Sequence, residues 1–186
     1  MLLSAAVELA LFSLPSLIYV VIVRRRNTDR ERALVTVGIV LGRPVGYLWA
    51  VGIMIITAPL VYLALWLVPT SISHTPNVVV GAASTRAGYA AAVLHALAEE
   101  MLFRGFIAGL LFRRFGFGVG NIIQTLVFLA PHLLLLLISR TLWPLLALQS
   151  IAGWLLGWLR YRSHSVGPSW LAHAGANILT SVVRFD

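Results

Sequence analysis

Apolar stretches of roughly 20 residues recur along this chain, each long enough to cross a hydrocarbon core about 30 Å thick. They cover about residues 2–23, 45–68, 87–112, 117–138, 141–159 and 166–183. A chain of 186 residues that is 60% hydrophobic and only 11% charged cannot hide so much apolar surface in a water-soluble core. The expected fold is all-α: a polytopic membrane helix bundle of about six transmembrane helices, multi-pass in the cytoplasmic membrane of the cell.

The charges set the expected orientation. All 14 basic residues are arginine, and the net charge is +8. They fall at the ends of apolar segments, as the positive-inside rule requires, and not in the continuous stripe of a nucleic-acid surface. No nucleic-acid partner is expected. Arg24, Arg25, Arg26, Arg30, Arg32, Arg113, Arg114, Arg160 and Arg162 are assigned to inner loops, and Arg43 to an inner interfacial stretch. Arg86, Arg140 and Arg184 are assigned outside. The N-terminus is therefore expected outside. The first segment lacks a basic start and is followed by three arginines, so it reads as a retained helix and not a signal peptide. There is no cysteine, which removes thiolate chemistry.

The chain reads as two successive portions of one bundle. Residues 1–82 hold N-terminal helices, a basic cytoplasmic loop and a segment (33–43) too short to span and expected at the interface. Residues 83–186 hold the membrane core that carries the polar patches. The polar stretch 69–86 reads as an external loop.

Three polar patches interrupt the core helices: Glu99-Glu100-Met-Leu-Phe-Arg104, Phe128-Leu-Ala-Pro-His132 and His173-Ala-Gly-Ala-Asn177. Ionisable groups in a membrane span are expensive and mark function by default. In an α-helix Glu100 and Arg104 sit one turn apart, with the acid in the better N-terminal place, and can form a two-pronged pair. Glu99 points away and is left available. His95 shares a face with Glu99 and is expected to line a polar cleft. Pro131 is expected to kink the helix or open its backbone and turn His132 towards a cavity, with Phe128 packed on the imidazole. His173 and Asn177 share a face across small residues that allow close approach, and interhelical hydrogen bonding is the plainer reading of that pair.

An acid, two imidazoles and an amide at overlapping depth are the parts of a peptide-bond hydrolase without a covalent nucleophile. A carboxylate and a histidine activate water, and a second histidine and an asparagine stabilise an oxyanion. Glu99, His132 and His173 can instead serve as three zinc ligands, although no His-Glu-x-x-His stretch is present. Ser169 is a weak candidate nucleophile, and both aspartates, Asp29 and Asp186, lie outside the spans.

The three patches in this order resemble the CAAX prenyl protease and bacteriocin-processing family (CPBP, or Abi). Its Glu-Glu-x-x-x-Arg, Phe-x-x-x-His and His-x-x-x-Asn motifs correspond to Glu99, Glu100 and Arg104, to Phe128 and His132, and to His173 and Asn177; Phe103 and Gly105 also fit. The resemblance covers about residues 87–183. It implies a metal-independent glutamate-dependent intramembrane endopeptidase, with no cofactor, acting on a membrane-embedded peptide or protein substrate. Glu99 and His132 would activate water, His173 and Asn177 would hold the oxyanion, and Glu100 with Arg104 would hold the site together. The compact, Arg-only chain has a bacterial look, which makes prenylated substrates unexpected. The rival readings are a non-enzymatic scaffold or bacteriocin-immunity protein, a zinc-dependent variant of the same site, and a proton-coupled transporter, for which no inverted repeat is found.

Overall fold

The computed structural model describes residues 1–25, 30–69, 72 and 83–183, and these are helical almost throughout, with no strand among them. Helix α1 runs Leu2–Arg25, α2 Arg30–Thr36, α3 Pro44–Trp66 and α4 Arg86–Glu99. A π-helical segment, Glu100–Ile107, joins α4 to α5, Ala108–His132. A short helix α6, Leu135–Ile138, and a 3₁₀ turn, Arg140–Leu142, lead to α7, Trp143–Ser163, and α8, Val166–Val182.

The packing inverts the usual pattern of a soluble protein. Leu3, Leu48, Ile55, Ile56 and Leu137 point outward, each more than two-thirds exposed. The interior is lined by Ala5, Ala50, Ala91, Ala96, Ala98, Ala108, Ala172 and Ala174. In lipid the large apolar side chains have no reason to be inside, while small residues let helix backbones approach and gain dispersion contacts. At Gly109 an added Cβ would collide with the Thr36 carbonyl, and at Gly157 with the Asn121 and Gln124 amides.

Among the described residues, four helical stretches are long and apolar enough to cross a membrane: Leu2–Arg25, Pro44–Trp66, Arg86–Ile138 and Arg140–Ser163. The third, of 53 residues, is not straight. Gly116 has φ 71° and ψ 178°, outside helical values, and Gly120 packs back against Leu111 and Phe112. Glycine suits this left-handed φ because it has no Cβ to clash. The chain thus turns back where the sequence separates its third and fourth apolar segments. Helix α8 has 17 residues, about 26 Å of rise, and falls just short of that length.

Helix ends follow local chemistry. Pro44 opens α3 in the first turn, where its missing N–H costs nothing. Thr85 caps α4 by accepting from Gly88 N, and Ser165 caps α8 by accepting from Gly167 N. Pro131 stands one residue before the end of α5. Beyond it, Leu133 N reaches both the Leu129 and Ala130 carbonyls, and Leu134 N the Pro131 carbonyl, which tightens the backbone as the helix stops.

Two sequence expectations need correction. The third span is not α-helical throughout, because it carries the π segment. Arg160 does not lie in an inner loop: it sits in the last turn of α7, only 3% exposed. Its Nε donates to the Arg104 carbonyl at 3.1 Å, and its Nη2 to the Val35 and Thr36 carbonyls at 2.9 and 2.8 Å. Backbone carbonyls of the π segment and α2 thus satisfy its guanidinium. The segment expected at the interface is short, as read, and docks against the bundle: Ala33, Thr36 and Val37 are buried. The loop residues 26–29, most of the external loop 69–86, and Arg184 and Asp186 lie outside the described residues.

Candidate active site

The π segment sits where α1, α4, α5, α7 and α8 meet. A π-helix bonds i→i+5, which is rare and recurs at functional sites. Here donors from two other helices meet its carbonyls: Ser16 Oγ of α1 donates to Met101 O at 3.1 Å, and Arg160 Nε of α7 to Arg104 O. Gly105 lets the Val37 carbonyl approach, since a Cβ there would lie 3.0 Å from that oxygen. Tertiary contacts therefore support a backbone shape that local propensity disfavours.

Glu100 and Arg104 are both fully buried, with Nη1 2.9 Å from Oε1. The angles make this an ion pair and not a hydrogen bond. Nε, Nη1 and Nη2 of Arg104 and Oε2 of Glu100 make no hydrogen bond among the described residues. The expected pairing is present, but it is one-pronged. The other support of Arg104 is the Phe128 ring, whose centroid lies 4.0 Å from its guanidinium carbon. Phe128 in turn packs edge-on against Phe103 and His173, at centroid distances of 5.1 and 6.2 Å.

His173 joins both glutamates. Its Nδ1 is 2.9 Å from Glu100 Oε1, and its Nε2 is 3.7 Å from Glu99 Oε2. Glu100 therefore orients the ring so that the opposite nitrogen faces Glu99. The Glu99 side chain is 26% exposed against 0% for Glu100, so Glu99 is the accessible carboxylate of the two.

His132 lies at the end of α5. Its ring is 4.8 Å from that of Phe128, and its Nδ1 hydrogen-bonds the Phe128 carbonyl at 2.8 Å. A carbonyl only accepts, so Nδ1 carries the proton and the neutral ring keeps its lone pair on Nε2. Asn177 is one turn beyond His173. Its backbone carbonyl accepts from Thr180 and Ser181 hydroxyls, both at 2.9 Å, and its side chain makes no hydrogen bond among the described residues. It lines a cavity of about 320 Å³ together with His95, Ser4 and Thr180.

Thus Glu99, Glu100, Arg104, Phe128 and His173 form one contact cluster, His132 joins it through Phe128, and Asn177 faces the adjoining cavity. His95 does not bond Glu99. Its Nδ1 is 2.5 Å from Glu8 Oε2 of α1, a partner the sequence did not suggest because 87 residues separate the two. Ser169 is buried and donates to the Leu156 carbonyl at 3.1 Å, which occupies its hydroxyl proton. Among the described residues no group of three carboxylates and imidazoles is arranged to hold a metal ion.

Sequence reasoning missed Arg160, and also Asn121 and Gln124. Gln124 Nε2 donates to the Gly153 carbonyl at 2.8 Å, and Asn121 Nδ2 to the Trp154 carbonyl at 3.2 Å, which fastens α5 to α7 beside the site. Two amides within one apolar run were a readable signal. Arg160 carried none, because it resembles every other arginine at a span end.

The model of the Type II CAAX prenyl endopeptidase Rce1-like family matches residues 81–179. The chain belongs to this family. The match takes in α4, the π segment and most of α8, with all seven candidate residues, Glu99, Glu100, Arg104, Phe128, His132, His173 and Asn177. At the family level this is a CAAX-type intramembrane protease, carried on a multi-pass membrane fold. No curated protein and no solved structure matches the chain significantly.

Proposed function

We propose that the protein is an endopeptidase of the cytoplasmic membrane that hydrolyses a membrane-associated peptide with water activated by Glu99 and His132. Glu99 takes a proton from the water, aided by the unprotonated Nε2 of His132. The water oxygen bonds to the peptide carbonyl carbon. His173, carrying a proton on both nitrogens between the two carboxylates, and Asn177 hold the resulting oxyanion, and the C–N bond breaks as the proton passes to the leaving amine. Glu100 and Arg104 act through His173 as positioning residues. Residues 83–186 form the catalytic portion, and 1–82 supply α1, which buttresses it through Ser16 and Glu8.

One observation carries this reading. His173 is gripped by Glu100 on one nitrogen and turned towards the accessible Glu99 on the other. A packed structural histidine would need no second carboxylate. The scheme needs no metal, since Glu99 and the two histidines supply the base and the donors.

The test is cleavage of a membrane-peptide library by the purified protein in nanodiscs, with and without EDTA. Loss of a general base is expected to slow Glu99→Gln by roughly 10²–10⁴-fold, with EDTA neutral. Unchanged cleavage in Glu99→Gln would overturn the site. Loss in EDTA, restored by zinc, would reassign Glu99, His132 and His173 as ligands.

A further inference from the structure

At the end of the bundle opposite Met1 and Thr180 lies a second cavity, of about 600 Å³. Its walls come from α2, from α5 before the Gly116 turn and from the end of α7. Among the described residues they carry Arg113, Arg160 and His164, together with Glu31 and Arg32, which both have partners of their own. This is also the end that holds Arg24, Arg25, Arg114 and Arg162. The peptidase scheme uses none of these residues.

Arg160 is the telling member. Among the described residues it has no carboxylate partner, and its buried charge is met only by three backbone carbonyls. Burying a cation without a counter-charge costs several kcal/mol, which neutral acceptors offset only in part. Arg113 is exposed at the cavity rim, where its Nη1 donates to Tyr19 Oη at 2.6 Å, again with no carboxylate partner among the described residues. His164 closes α7 in a left-handed conformation, φ 60°. Desolvation, and then the charges of Arg160 and Arg43, push its pKa below the usual histidine range.

We propose that this cavity binds a phosphate group, carried by an anionic phospholipid headgroup or by free phosphate. Guanidinium forks match the oxygens of a phosphate, and the volume exceeds what a lone carboxylate needs. The arginine-rich end of a membrane protein faces the leaflet in which anionic headgroups lie. Because Arg160 also holds the Arg104 carbonyl, a bound phosphate would brace α2 and α7 against the π segment. The proposal does not depend on the peptidase reading.

The test follows the unfolding midpoint by tryptophan fluorescence in neutral detergent. Wild type, Arg113→Gln and Arg114→Gln are titrated with short-chain phosphatidylglycerol, short-chain phosphatidylcholine and inorganic phosphate. Arg114 is exposed, lies outside the cavity and controls for lost charge. Phosphatidylglycerol should raise the midpoint of wild type and Arg114→Gln, and Arg113→Gln should need roughly tenfold more lipid, as expected for one lost charged hydrogen bond. An equal response to inorganic phosphate would identify the free ion as ligand, and a response to lipid alone would identify the headgroup. Equal weakening in both variants, an equal effect of phosphatidylcholine, or no shift with any ligand would overturn the proposal.

Discussion

Replacing Arg104 by methionine tests the architecture of the site most directly. The side chain is fully buried, and its removal strands the Glu100 carboxylate, also fully buried, with only His173 as partner. Breaking a buried ion pair from one side costs about 3–5 kcal/mol, because the remaining charge stays desolvated. At roughly 2–4 °C per kcal/mol for a chain of this size, a 4 kcal/mol loss lowers the midpoint by about 8–16 °C. Glu100→Gln should cost a similar amount, by stranding Arg104. The double variant Glu100→Gln/Arg104→Met leaves neither charge buried. The one-pronged geometry offsets desolvation poorly in the native pair, so the double variant should recover more than half of the single loss. Thermal unfolding of the four proteins in one detergent closes the cycle. A double variant whose loss equals the sum of the singles would refute the reasoning, since it would show that the two charges do not act as a unit.

Other outcomes follow from the same geometry. Asn177→Ala should slow cleavage by about 10²-fold, as for a lost oxyanion donor, while leaving the unfolding midpoint nearly unmoved, because the amide makes no hydrogen bond among the described residues. A comparable loss of stability would reassign Asn177 to packing. Gly109→Ala drives a Cβ into the Thr36 carbonyl and should cost about 1–3 kcal/mol, whereas Gly118→Ala meets nothing within 4 Å and should be neutral or stabilise by up to about 1 kcal/mol. His164 has a folded pKa below its unfolded value, so its neutral form is favoured in the fold. Its contribution to stability is present above about pH 6.5 and lost as pH falls below that value towards the folded pKa. His164→Asn, which tolerates a left-handed φ, should flatten the midpoint-versus-pH curve between about pH 7.5 and 5.5; an unchanged slope would count against it.

Much of the site was legible from spacing. Glu100 and Arg104 are four residues apart, and either an α- or a π-turn leaves them close enough to pair. Phe128 and His132 stand one turn apart on α5, and their rings touch as that spacing implies. The chain reversal could be read from the break in apolar periodicity around Gly116. What could not be read was partner choice between distant segments. Glu8 with His95, Glu100 with His173 and Arg160 with the Arg104 carbonyl are separated by 87, 73 and 56 residues.

Composition and apolar run length alone made this a helical membrane bundle, because in lipid each backbone amide must be satisfied within its own segment. Local spacing then singled out the polar residues, since helical turns bring near neighbours together whatever surrounds them. Tertiary structure decided which carboxylate is buried and which accessible, why eight residues adopt a π-turn, and how one arginine left its expected loop. Those outcomes depend on where Ser16, Val37, Gly105 and Thr36 meet in space, and a donor or a vacant volume supplied by another helix leaves no trace in local sequence.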